Sequence, residues 1–384
     1  MPPSAYTARL AYFVVFLGAG VWLPYMPLYL ASLGFGGWQI GLLGAMAPGL
    51  RWASAIVLGW IADRRRNRQR LLVITAAAGS LCFVPLLFVR EFGMLVLVFI
   101  GVNLCHGTLI PMVDAIVVDH LEELGNDYGR LRLWGSLSFI VGAAVSAPLV
   151  DAYGAGIVPA LIVVPSVFLA PVMSLLPRGQ RGHPEHAQPP WALVTPPMAA
   201  FLATVFLAQA SCGAWAGFFA LHVRALGLPS SLPGITFALA VVGEVALFHW
   251  GRRVLGWISP GDLILVTLAV TVVRWMLSAV VTAQWAVVAV QLGHVFTFSA
   301  FHLAAVALVV ELVPPANATS GQSLYGLVGF GLGGTIGIAL AGVLVDRLGT
   351  QGLFWFEAAV ASAGVLPAWW LRRIVAHGRV TGHV

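Results

Sequence analysis

The chain has 384 residues, 60% hydrophobic and 9% charged, with a formal net charge of +6. Soluble domains carry roughly 25% charged residues, so this composition excludes a water-soluble enzyme or nucleic-acid binder. All 20 basic residues are arginine, and a chain without lysine has no P-loop, whose lysine must reach the phosphates.

A membrane-spanning helix needs about 20 mainly apolar residues. Twelve such windows run along the chain, at roughly 8–31, 38–61, 70–89, 93–118, 129–150, 155–176, 196–223, 231–250, 261–280, 284–311, 321–345 and 352–374. The expected fold is an all-α membrane protein of twelve transmembrane helices. Arginine clusters mark the cytoplasmic side under the positive-inside rule: Arg64, Arg65, Arg66, Arg68 and Arg70, then Arg130 and Arg132, Arg178 and Arg181, Arg252 and Arg253, Arg372 and Arg373. Both termini are then cytoplasmic and the protein sits in the cell (inner) membrane. The first window lacks a small-residue cleavage site and is expected to be a retained helix. Cys82, Cys105 and Cys212 lie in apolar segments without a CxxC pair, which implies packing residues and no disulfide framework.

The first predicted helix holds Trp22, Pro24, Tyr25, Pro27 and Tyr29. Two prolines interrupt its backbone bonding, which is tolerable beside a wet cavity or a protein neighbour. Tyr25 and Tyr29, one turn apart, are candidates to face such a cavity. The second helix carries Arg51, 12 residues before Asp63. At 1.5 Å per residue that is roughly 18 Å, near mid-membrane. A guanidinium there needs a carboxylate, water or an anionic ligand.

The fourth helix carries Asn103, His106 and Asp114 on one side, a polar stripe. It emerges into a polar turn with Asp119, His120, Glu122, Glu123 and Asp127, and the chain re-enters an apolar segment bearing Arg130 and Arg132. Asp114 and Arg132 are offered from adjoining helix ends; a substrate site and a structural salt bridge are the two readings. Residues 177–195 are polar and proline-rich. They divide the chain into an N-terminal half, 1–176, and a C-terminal half, 196–384.

The halves echo each other. At an offset of 193, Trp22, Leu33, Gly34 and Gly41 fall on Trp215, Leu226, Gly227 and Gly234. At 195, Gly142, Asp151 and Gly154 fall on Gly337, Asp346 and Gly349. Near-constant offsets at both ends indicate two parallel, pseudo-symmetric six-helix bundles. In the second half Glu244, Arg274, His294 and His302 lie on three consecutive helices, an acid, a base and imidazoles in hydrocarbon. Gly329, Gly331 and Gly334 match GxGxxG, but no strand precedes them, so helix packing explains them better than a dinucleotide site. No metal cluster, cofactor motif or nucleophile–base set stands out, and an enzyme is not expected.

The residues Gly59, Asp63, Arg64 and Arg68 resemble the GxxxDRxGRR loop of the major facilitator superfamily, although Arg66 replaces its second glycine and Asn67 the next arginine. The resemblance implies a cytoplasmic gate here, joined by Asp119. PMVDA followed by YGRLRLWG looks like the helix 4–5 region of the lactose-permease proton symporters, in which a carboxylate and an arginine 18 residues later bind substrate; Asp114 and Arg132 have that spacing. Glu244 sits in a similar Gly-Glu pair, and Arg274 precedes His294 by 20 residues as in those symporters. Thr297 stands where they carry the proton-accepting carboxylate. Pro-Tyr-x-Pro, Arg51, YGRLRLWGS and QLGHVFTFSAFH resemble the phenylpropionate permease group still more closely.

What the resemblance implies is a monomeric secondary transporter in the lipid bilayer, working by alternating access on a small-molecule substrate with protons as the coupling ion. An aromatic carboxylate is the expected substrate. A neutral sugar or nucleoside symporter, or an exporter, is the alternative. A receptor is disfavoured by the short tail from Arg372 to Val384. The expected substrate residues are Tyr25, Tyr29, Arg51, Asp114, Arg132, Arg274, His294, His302 and Tyr325. The coupling proton is expected on Glu244, His294 or Asp114.

Overall fold

The first helix starts where Ser4 accepts a hydrogen bond from the Thr7 N–H, satisfying one of the donors that a helix start leaves open. It is α1, Ala5–Ser32. After it come α2 (Gly37–Arg64), α3 (Arg68–Leu87), α4 (Phe92–Asp119), α5 (Tyr128–Tyr153) and α6 (Ala155–Ser174). Then come α7 (Pro196–Ala225), α8 (Leu232–Trp257), α9 (Pro260–Val280), α10 (Gln284–Leu312) and α11 (Ala318–Val375). The computed structural model describes residues 4–64, 68–124, 127–178 and 190–381. The expected gate positions Gly59, Asp63 and Arg64 fall, for their side chains, outside the described residues, as do the linker histidines His183 and His186.

The structure is all-helical over the described residues, and ten of these helices are long and apolar enough to cross a membrane. Three of the twelve expected windows do not each match one of these spans. Window 38–61 forms α2, part of which lies outside the described side chains, and the ten spans counted over the described residues do not include it. Windows 321–345 and 352–374 form the single stretch α11, which turns at Gly349.

Side-chain caps open several helices. Glu91 accepts from the N–H groups of Gly93 and Met94, Asp127 from that of Arg130, Thr195 from that of Met198 and Ser259 from that of Asp262. Among the described residues the positive-φ glycines are Gly34, Gly154, Gly227 and Gly349, with φ of 85°, 74°, 71° and 66°. They are the paired positions of the repeat, Gly34 with Gly227 and Gly154 with Gly349. Equivalent helices therefore end in left-handed turns that a side chain would strain.

The chain folds into two compact units, 1–183 with 219–242, and 184–218 with 243–384. One apolar core, including Tyr12, Leu109, Ile116 and Met173, lies in the first. Another, including Phe201, Leu268, Phe301 and Tyr325, lies in the second. In the first unit α1 and α5 touch backbone to backbone: a Cβ on Gly142 would stand 2.4 Å from Leu17 O, and one on Gly20 2.3 Å from Phe139 O. The second repeats this between α7 and α11, with Gly337 against Ala210 O at 2.3 Å and Gly213 against Gly337. The two unit boundaries inside α7 and α8 place 219–242 with the first unit, where the Tyr25 hydroxyl donates to Ser231 O at 3.2 Å and accepts from the Gly234 N–H at 3.1 Å.

Candidate functional site

Three polar clusters lie on the apolar helices. The first is built on a close approach of α2 and α4. A Cβ on Gly107 would meet Ser54 Oγ and the Arg51 backbone, so only glycine lets α2 lie this near. Arg51 Nε then donates to Asn103 Oδ1 at 2.9 Å, and Asn103, fully buried, is held by its own bond to Phe99 O. Among the described residues no carboxylate pairs with Arg51. Its charge faces a cavity of about 290 Å³, lined also by Trp22, Trp52, Phe83, His106 and Ile110. The His106 ring stands edge-on to Phe83 at 4.8 Å, and its Nε2 has no hydrogen-bond partner. A concave apolar space with a few converging polar groups is the usual form of a small-molecule site. Here the polar groups are cationic or hydrogen-bonding, and the walls combine aliphatic side chains with the rings of Trp22, Trp52 and Phe83.

The second cluster surrounds Asp114. The Tyr12 hydroxyl donates to its Oδ1 at 2.6 Å, and Arg132 Nε stands 3.9 Å from the same oxygen. The Arg132 guanidinium lies 4.2 Å from the centre of the Phe16 ring and 5.4 Å from that of Tyr12. Each side chain of the pair keeps about 30% exposure, 31% for Arg132 and 29% for Asp114. The 18-residue spacing thus brings the two together. The stripe of Asn103, His106 and Asp114 does not stay together. The helix is interrupted at Gly107–Thr108, and Asp114 joins Tyr12 while Asn103 and His106 join Arg51.

The third cluster is in the second unit. His294 Nε2 lies 2.9 Å from Glu244 Oε1, and its ring stacks on Trp215 at 4.4 Å. Phe298 lies parallel to His294 and to His302. His302 Nδ1 shares a hydrogen with the Tyr325 hydroxyl at 2.7 Å. Residues 295–300 and 327–333 are π-helical turns, distortions that recur at functional sites. Arg274, 3% exposed, donates to Gln291 Oε1 at 2.7 Å and lies over Trp275 and Trp215. Thr297 bonds to Gly293 O and faces Thr271, so no carboxylate occupies that turn.

Arg68 pairs with Asp119 at 3.1 Å, tying the start of α3 to the end of α4. Tyr29 donates to Leu86 O and Tyr25 is bound to residues 231–234. Neither tyrosine lines the Arg51 cavity; both are buried and packed instead, because their rings turn to neighbouring backbone that needs donors.

A family model, the MFS_1 like family, matches residues 6–356. The chain belongs to this transporter family of the major facilitator superfamily. A probable 3-phenylpropionic acid transporter of Escherichia coli K12 is 32% identical, over 94% of this chain and 96% of the relative. A maltose permease of Geobacillus stearothermophilus is 23% identical over 93% and 92%. Among solved structures, nucleoside transporter NupG superposes with a TM-score of 0.85 at 17% identity, covering 96% of this chain and 98% of NupG. At that identity the likeness shows the major facilitator fold alone. The homologues are transporters, not enzymes, and this chain is a multi-pass membrane transporter of the same kind.

Residues that sequence reasoning missed are Tyr12, Phe16, Trp52, Gln291 and Glu357. Tyr12 and Phe16 sit among apolar neighbours in α1, with no spacing signal that ties them to Asp114 or Arg132. Glu357 has a usable signal: it is an acid inside an apolar window.

Proposed function

We propose that this protein is a proton-coupled importer of a small aromatic carboxylate, with the Arg51 cavity as its anion-binding end. The observation that carries this is a mid-helix guanidinium with only a neutral amide as partner, facing an apolar cavity of about 290 Å³ that Trp22, Trp52 and Phe83 help to line. An isolated cation in hydrocarbon is costly, and an anionic ligand offsets that cost. Arginine presents a planar fork that suits a carboxylate. Trp22, Trp52 and Phe83 offer faces for a ring. The 32% identity to a probable 3-phenylpropionic acid transporter supports the same class of substrate.

The wider reading counts α2 and the two limbs of α11 as spans. The chain then has twelve transmembrane helices in two six-helix bundles, 1–176 and 196–384, joined by a linker at 177–195. Both termini are cytoplasmic in the inner membrane and the protein works as a monomer. The protein works by alternating access. Asp114 with Arg132 in the first unit, and Arg274, His294, His302 and Tyr325 in the second, are its further substrate residues. Gly59, Asp63, Arg64, Arg68 and Asp119 form the cytoplasmic gate. Tyr25 and Tyr29 act on packing of α1 in this scheme.

Uptake of radiolabelled 3-phenylpropionate into proteoliposomes tests the reading, against maltose and uridine as neutral probes. Accumulation of the aromatic acid under an inward proton gradient, lost in Arg51→Gln, is the expected result. Uptake of a neutral probe alone sinks it.

A further inference from the structure

Glu357 is 2% exposed, and among the described residues it is the one buried acidic side chain. It lies on α11 eight residues beyond the Gly349 turn. Its Oε1 accepts the Ala214 N–H, and the Trp215 N–H bonds to the same carboxyl group. Those donors are available because α7 breaks at Ser211–Cys212 and restarts at Gly213. The other oxygen, Oε2, has no hydrogen-bond partner. On the neighbouring α9, Arg274 leaves Nε and Nη1 equally without partners while Nη2 is spent on Gln291. Arg274 lies 5.3 Å from the centre of the Trp215 ring and Glu357 binds the adjoining Ala214 N–H, so acid and base meet the same turn of α7, and both are sealed from solvent with unused hydrogen-bonding capacity. Unpaired charges in hydrocarbon are rare and mark ion pathways.

The charged and titratable groups facing Glu357 are Cys212 on α7 and Arg274 on α9. Arg274 in turn faces His294 of α10, which is bound to Glu244 of α8. Glu244 and Asp114 are each more exposed, and each already has a near partner.

We propose that Glu357 holds the coupling proton, and that Arg274 exchanges its engagement between Gln291 and Glu357 as the proton arrives and leaves. In the loaded state an O–H bond forms at Oε2 with a proton drawn from water on the side of higher proton activity. The neutral acid leaves Arg274 on Gln291 and free to answer an anionic substrate. When the O–H bond breaks, the proton returns to water on the other side, and the carboxylate takes Arg274 through Nε and Nη1. This inference rests on the reading of the chain as a proton-coupled transporter.

The test uses the full chain in liposomes, as wild type, Glu357→Gln and Glu357→Asp. The glutamine amide oxygen still accepts the Ala214 N–H, so a residue that only caps the helix restart is replaced without effect. Infrared difference spectra are recorded across a pH step, with no substrate present. The expected result is a carboxylic C=O band that titrates in wild type, disappears in Glu357→Gln and shifts in Glu357→Asp. Identical difference spectra in wild type and Glu357→Gln overturn the proposal. Radiolabelled 3-phenylpropionate is then the transport probe: Glu357→Gln keeps exchange, but its accumulation ratio under a proton gradient falls to one. Accumulation by Glu357→Gln equal to wild type also overturns it. If wild type carries none of the probe, the substrate reading fails and the infrared result still decides the proton site. If Glu357→Gln does not insert, the shifted band in Glu357→Asp decides it, and an unshifted band overturns it.

Discussion

Asp114 accepts a hydrogen bond from Tyr12 at 2.6 Å, so the carboxylate expected to serve Arg132 is anchored first to α1. Arg132, at 3.9 Å, keeps its fork open and leans on Phe16. Arg132→Lys preserves charge but loses the planar donor set and the flat stacking surface. Uptake is expected to fall by on the order of tenfold or more, about 1.4 kcal/mol, at normal membrane expression. The double change Asp114→Asn with Arg132→Gln leaves no unpaired charge, and a structural bridge tolerates it. Normal uptake in either variant removes the pair from the substrate site.

Asn103 fixes Arg51 and is not itself among the residues that line the cavity. Asn103→Ala frees the guanidinium without removing it. Its KM is expected to rise by roughly tenfold with a smaller change in turnover, since the lost interaction aids binding rather than chemistry. Arg51→Lys is expected to raise KM further. Equal KM for wild type and Asn103→Ala shows that the orientation of Arg51 is irrelevant.

Much of this architecture is legible in the residues. Apolar length marks the spans. The 193 and 195 offsets pair Gly34 with Gly227 and Gly154 with Gly349, all of them glycines with left-handed φ. The 18-residue spacing places Arg132 near Asp114. Two features are hidden by tertiary packing. The interruption at Gly107–Thr108 divides a stripe that a straight helix keeps on one side. Tyr25 and Tyr29 turn into protein contacts, because an aromatic in an apolar run carries no sign of which neighbour receives its hydroxyl. Glu357 itself stands out as an acid in an apolar window, but its partner is hidden for a related reason: Ala214 is 143 residues away.

The glycine contacts predict where the fold tolerates no side chain. Gly142→Ala and Gly337→Ala each push a methyl into a backbone oxygen of the facing helix. Overpacking of this kind costs about 1–3 kcal/mol. Both variants are expected to lower thermal stability in detergent, by similar amounts if the two helix pairs are equivalent. Gly18→Ala, with no atom within 4 Å of its Cβ, serves as the control. A Tm for Gly142→Ala equal to that of Gly18→Ala contradicts the close approach of α1 and α5.

Glu91 predicts a pH effect at the start of α4. The N–H groups of Met94 and Gly93 hold its carboxyl below the usual range. A depressed folded pKa means that the carboxylate adds stability above its unfolded value and loses it as pH falls through the folded one. Below about 4.5 the advantage of wild type over Glu91→Gln is therefore expected to shrink. Tm curves for both proteins across that window give the difference directly. A constant gap from neutral pH down to strong acid contradicts the cap.

The last prediction concerns the pair that ties α3 to α4. Arg68 and Asp119 meet at 3.1 Å with side-chain exposures of 13% and 21%, so the bond is shielded enough to matter and wet enough to break. In the proposed gate it forms and releases in each cycle. Arg68→Asp and Asp119→Arg each place like charges together, and each is expected to slow uptake while binding of 3-phenylpropionate changes little. The double swap restores opposite charges. A direct pair of this type couples by about 1 kcal/mol, so the double variant is expected to recover roughly fivefold over the product of the single defects. Flux and equilibrium binding, measured on the same preparations, separate gate from site. Loss of binding in the single variants, with flux and affinity falling in step, places the pair in the substrate site and sinks the gate.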